Sequence, residues 1–83
     1  YMWNEKKSPL RIEKRFEFEN YQITSKFLKE IDNLSKKKNI FPNISFGANF
    51  ASLTIFLDSK SITSEIENFA NQADIYYKKI ISE

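Results

Sequence analysis

Residues 10 to 18 alternate between apolar and charged side chains, and that alternation constrains the fold more than any other feature of the chain. Leu10, Ile12, Phe16 and Phe18 fall on one side of an extended backbone, with Lys14 the single exception. Arg11, Glu13, Arg15 and Glu17 fall on the other. A period of two predicts a strand with one buried face and one face that meets water or a polar partner. Residues 50 to 57 predict a second strand in the same way. Ala51, Leu53, Ile55 and Leu57 share one face, and Phe50, Ser52, Thr54 and Phe56 the other.

Each strand is followed by apolar residues at helical spacing. Over residues 20 to 38, Ile23, Phe27, Ile31 and Leu34 fall within an arc of about 80°, with Asn20 placed to cap the helix. Leu28 lies beside that arc, either at the edge of the core or in a helix–helix seam between subunits. Lys36, Lys37 and Lys38 close the helix, where positive charge suits the carbonyl end of the dipole. Over residues 63 to 81, Ile66, Phe69, Ala70, Ala73, Tyr77 and Ile80 form a second stripe, with Ile62 upstream on the same bearing. Ser64 with Glu67 fits a capping box, and Thr63 is an alternative cap.

The intervening segments carry less pattern. Residues 39 to 49 read as a loop leading into the second strand. They hold the only glycine, Gly47, and one of the two prolines, Pro42. They also hold Ile40, Phe41, Ile44 and Phe46 outside any clear periodicity, so the loop must either pack these groups or present them. Asp58 to Ser61 read as a turn. Residues 1 to 9 are polar apart from Tyr1, Met2 and Trp3. Trp3 either closes a short strand or anchors the terminal segment, and Pro9 marks a turn or a strand start.

Strand, helix, strand, helix predicts an α+β fold: an antiparallel sheet with helices packed on one face. The 83 residues allow a single domain, 1–83. A domain this small buries roughly 60% of its unfolded surface, so further burial by homodimerisation is expected. Eight Phe, four Tyr and one Trp exclude a disordered chain. There is no Cys, which excludes a disulfide framework and a thiolate zinc site. There is no His, which removes the commonest general acid/base and the commonest metal ligand. Without a dense Asp/Glu cluster, no metal or cofactor is expected. No apolar run approaches the length of a membrane span, and no signal peptide is visible. The net charge of +2 carries no long basic stripe with stacking aromatics beside it, so no nucleic-acid partner is expected either.

Arg11-Ile12-Glu13-Lys14-Arg15-Phe16-Glu17-Phe18, then Tyr21 and a helix containing Phe27-Leu28, resembles the pterin-4a-carbinolamine dehydratases. In that family a charged strand runs into a helix, a His-His-Pro loop, a strand of alternating aliphatics and a last helix. Pro42 matches the loop proline, Leu53, Ile55 and Leu57 the strand, and Ile62-Thr63 the opening of the last helix. The similarity covers roughly residues 3 to 80. Ile40 and Phe41 stand where the family's two loop histidines would be, and no histidine stands near Asp58 to Lys60. A placed general acid or base contributes about 10²–10⁴-fold, and neither Ile nor Phe can replace one. The chain is therefore expected not to be an enzyme.

A narrower resemblance points the same way. Pro42-Asn43-Ile44-Ser45-Phe46-Gly47 and Ser8-Pro9-Leu10-Arg11-Ile12-Glu13-Lys14-Arg15-Phe16 are similar to segments of the dehydratase-like Rubisco assembly factors of alpha-carboxysomes, with Asn43 in place of that subfamily's Asp. The resemblance implies a non-catalytic chaperone of carbon fixation that binds Rubisco subunits, in a cytoplasmic, carboxysome-associated bacterial setting. The alternatives are a surviving pterin dehydratase and a dimerisation cofactor for another protein. The residues expected to touch the partner or shape the loop are Arg11, Arg15, Phe41, Pro42, Phe46 and Gly47. Two choices stay open. The loop from Phe41 to Gly47 either plugs the core edge or presents anchors. The Arg11–Glu17 face is either a solvated surface with cross-strand ion pairs or a docking surface, for which the planar arginine fork is suited.

Overall fold

The computed structural model describes residues 3–58 and 62–83. Tyr1, Met2 and most of the turn expected at Asp58 to Ser61, including Lys60, lie outside the described residues. Among the described residues the chain forms β1 (Asn4–Lys7), β2 (Leu10–Glu17), α1 (Tyr21–Lys38), β3 (Asn43–Phe46), β4 (Phe50–Phe56) and α2 (Ser64–Ile81). The strands lie in the order β1-β2-β4-β3, and every neighbouring pair is antiparallel. The fold is α+β, with both helices on one face of the sheet.

Two hairpins build this sheet. β1 turns into β2 at Ser8-Pro9, and β3 turns into β4 at Gly47–Asn49. The two long strands pair at the centre, with Ile12 opposite Ile55 and Phe16 opposite Ala51. Their ladder runs on through Phe18 N–H to the Asn49 carbonyl at 2.9 Å and Leu57 N–H to the Leu10 carbonyl at 3.0 Å. The alternation read from the sequence therefore holds across both strands: Ile12, Phe16, Phe18, Ala51, Leu53 and Ile55 are buried.

The helices close that face with the stripes their sequence period predicts. Phe27, Ile31 and Leu34 of α1 and Phe69, Ala70, Ala73 and Ile80 of α2 are buried in one cluster. Phe16 is its centre, with ring centroids 4.7 Å from Phe27, 5.1 Å from Tyr77 and 5.9 Å from Trp3. Leu28 packs partly buried against the cluster. The Asn20 carboxamide oxygen accepts from Ile23 N–H at 3.0 Å and caps α1. Asn39, left-handed at φ 57°, ends it. The cap of α2 is Thr63, whose hydroxyl oxygen accepts from Ile66 N–H at 3.2 Å; the Ser64 capping box is not used.

One expectation is corrected and two are resolved. Residues 43–46 are a strand, not loop. They form an edge strand whose residues are all exposed, which leaves no apolar alternation against a covering layer to reveal it. Residues 4–7 are the opposite edge strand, and Trp3 anchors it from the core, 5% exposed. Lys14, the exception on the buried face, is held by Asp74 of α2. The Asp74 Oδ1 atom accepts from Lys14 Nζ at 2.8 Å and from Trp3 Nε1 at 3.2 Å. One carboxylate thus ties β2 and the residue just before β1 to α2.

Candidate functional site

The six residues expected to touch the partner or shape the loop divide into two groups. Register places Arg11 and Arg15 on the sheet face away from the helices, opposite Phe56 and Ser52 of β4. Phe46 pairs with the buried Ala51 and Ile44 with the buried Leu53, so both point to the helix side. Yet Phe46 is 54% and Ile44 40% exposed, because the helix layer does not extend over the β3 edge. Phe41, in the loop before β3, is 66% exposed, and Pro42 beside it is half-buried. The loop therefore presents its apolar groups and does not plug the core with them. Only Ile40 packs partly against the core.

The two edges of the sheet differ in kind. β1 carries Asn4-Glu5-Lys6-Lys7, and charged side chains, Lys above all, discourage another strand from adding there. β3 carries Asn43-Ile44-Ser45-Phe46 with no charge, so its outer backbone edge has no such protection.

On the open face, the expected cross-strand ion pairs are instead made along β2. Arg11 Nε lies 3.5 Å from Glu13 Oε2, and Arg15 Nε donates to Glu17 Oε2 at 3.3 Å. In β4 the neighbours across the strand are Phe56, Thr54, Ser52 and Phe50, which offer no carboxylate. Arg11 also donates from Nη1 to the Pro9 carbonyl at 2.9 Å. The Arg15 guanidinium carbon lies 4.1 Å from the Phe50 ring centroid. Stacking on an aromatic face attracts a cation and fixes the plane of its fork.

Gly47 is needed here for clearance. Its φ is not positive, so it is not serving a left-handed turn. A Cβ on Gly47 would lie 2.5 Å from Phe50 Cε1. The bare backbone lets the Phe50 ring lie over the turn, where Gly47 N–H donates to the Phe50 carbonyl at 3.0 Å. Gly47, Phe50, Arg15 and Glu17 are thus one chain of contacts at the β3–β4 end of the open face.

Two structural residues escaped the sequence reading. Thr24 is fully buried, with its hydroxyl within reach of the Asn20 carbonyl at 3.0 Å and the Ala48 carbonyl at 2.9 Å, so it ties α1 to the β3–β4 turn. Asp74 lies outside the apolar stripe of α2, where a carboxylate looks like ordinary helix surface. The one available signal was Lys14, a charge on an apolar face that demands a partner.

Beside Ile40, a shallow cavity of about 240 Å³ is lined by Lys37, Lys38, Glu65 and Asn68. It offers ammonium, carboxylate and amide groups but no imidazole. No group of three or more metal-ligating side chains occurs among the described residues. No described helix is long and apolar enough to cross a membrane.

This fold, a four-stranded antiparallel sheet with two helices on one face, is that of solved pterin dehydratase-like structures. A pterin dehydratase-like protein described as a Rubisco assembly factor in the alpha-carboxysome superposes with a TM-score of 0.83 and 28% identity, over 93% of this chain and 90% of that one. A transcriptional coactivator/pterin dehydratase from Brucella melitensis superposes with a TM-score of 0.80 and 16% identity, over 90% of this chain and 81% of that one, a likeness of fold. No family model and no curated protein matches the sequence. Over nearly its whole length the chain is similar to pterin dehydratase-like proteins.

Proposed function

We propose that this protein is a non-catalytic assembly chaperone that binds Rubisco subunits as they fold or assemble in the alpha-carboxysome system. The observation that carries the proposal is the likeness to the Rubisco assembly factor, which spans nearly the whole chain at 28% identity. Two features of this chain support it. It has no histidine, so the proton transfers of a dehydratase lack their usual groups. And where a catalytic loop would be, Phe41, Ile44 and Phe46 present apolar surface instead. Exposed apolar groups in a polar surround mark protein contact sites.

In this role Phe41 and Phe46 anchor the client, Pro42 and Gly47 hold the segment between them, and Arg11 and Arg15 form a second contact on the open face. The test is assembled Rubisco on a native gel, from cells expressing both Rubisco subunits with and without this protein. A rise in holoenzyme that is lost with the double variant Phe41→Ala/Phe46→Ala supports the role. No rise, with no co-purification of either subunit, overturns it.

A homodimer is the alternative use of the β3 edge, and it would take Phe46 from the client. Antiparallel pairing of two β3 strands about Ser45 sets Ile44 opposite Phe46 of the second copy, twice, on the helix side. Aromatic–β-branched pairs across antiparallel strands contribute roughly 0.2–1 kcal/mol each.

A further inference from the structure

Arg15 differs from the other cations of the open face in how it is held. Its guanidinium lies on the Phe50 ring at 4.1 Å, and its Nε is engaged by Glu17 at 3.3 Å. Ring and carboxylate together fix the plane and the direction of the fork. The terminal nitrogens Nη1 and Nη2 have no partner among the described residues, and the side chain is 55% exposed. Arg11, by contrast, already engages the Pro9 carbonyl through Nη1, and its side chain is 25% exposed.

Arg15 also lines a depression of about 250 Å³ on the open face, together with Asn4, Glu13, Lys14, Ser52 and Thr54. Ser52, opposite Arg15, and Thr54, two residues on along the same face of β4, bring two hydroxyl donors to the depression. A guanidinium edge pairs best with a planar two-oxygen anion, which it binds through two parallel N–H bonds. Glu13, which also lines the depression, disfavours a second negative charge there.

We propose that this depression is a carboxylate-gripping subsite: Arg15, steadied by Phe50 and Glu17, receives one Asp or Glu side chain of a protein partner, with Ser52 and Thr54 completing the donor set. A protein partner fits because the depression is open on a broad sheet face flanked by Phe50 and the exposed Phe56, which offer apolar contact around a single charge. The proposal rests on the docking role given above to Arg15, but it does not need the partner to be Rubisco.

The test uses the intact protein and two peptides that differ only in charge, acetyl-Gly-Glu-Gly-amide and acetyl-Gly-Gln-Gly-amide. Binding is followed by NMR through the Arg15 side-chain N–H and the Ser52 and Thr54 amides. The glutamate peptide is expected to bind about two- to fivefold more tightly than the glutamine peptide, the range of an exposed ion pair. Arg15→Lys keeps the charge and loses the fork, and should abolish that preference while the other amide shifts stay in place. Equal binding of the two peptides overturns the subsite. So does an Arg15→Lys variant that keeps the full preference, since it would reduce the effect to net charge. A positive result alongside a failed Rubisco assay leaves the subsite standing with another partner.

Discussion

At the scale of single residues, the side chains that decide most in this protein are those whose neighbours are distant in sequence. Asp74 is a clear case, since it carries both the Lys14 ammonium and the Trp3 indole N–H. Asp74→Ala would leave two part-buried donors without their acceptor, and leaving such groups unmet costs about 1–3 kcal/mol. Urea denaturation should show a loss in that range. Asp74→Asn, which keeps an oxygen for Trp3 but not the charge for Lys14, should lose less. Gly47 makes a second prediction. Gly47→Ala would push the added methyl into the Phe50 ring. The ring is half-buried and must tilt away, which also removes the platform beneath Arg15. A stability loss of about 1 kcal/mol is expected, the size of a typical single substitution. The Arg15 Nε resonance should shift with it, and a Gly47→Ala protein with that resonance unmoved would show that ring and guanidinium are not coupled.

At the scale of elements, legibility followed burial. β2, β4, α1 and α2 each put one face into the core, so period two or period 3.6 is written into their residues, and their spans in the fold lie within a residue or two of those the pattern predicts. β1 and β3 are edge strands, with every residue exposed, and carry no such period. Ile44 and Phe46 do alternate with Asn43 and Ser45, but a four-residue alternation between two loops is too short to separate from chance. The surface residues Arg11, Arg15, Phe41 and Phe46 were legible as types; their division between two faces was not. That division depends on the strand order, which sets β3 outside β4, and on how far the helices reach. Caps show the same limit, since Thr63 and Ser64 are equally good by composition and geometry decides between them. The cap at α1 is testable on its own: Asn20→Ala should cost about 1 kcal/mol of stability in thermal or urea melts. Thr24→Val, which removes the link to the Ala48 carbonyl, should cost a similar amount.

At the scale of the whole molecule, the asymmetry of the sheet edges sets what can add to it. A strand joining at β1 would meet Glu5, Lys6 and Lys7, whereas one joining at β3 would meet Ile44 and Phe46 and a backbone without charged guards. In a small domain, whose own core is limited, covering those exposed apolar groups adds burial of the kind that stabilises the fold itself. Pairing of two β3 strands satisfies the edge and buries the same side chains in each copy, as a two-fold interface requires. Phe46→Lys tests this without touching the core, because Phe46 is 54% exposed in the single chain. The expected outcome is a shift from dimer to monomer by light scattering, with circular dichroism unchanged and the monomer still folded. If the Phe46→Lys variant stays a dimer, the copies meet elsewhere and β3 is left for the client. If the wild type is itself a monomer at micromolar concentration, the exposed edge belongs to a partner chain, and Phe46→Lys should then weaken Rubisco co-purification directly.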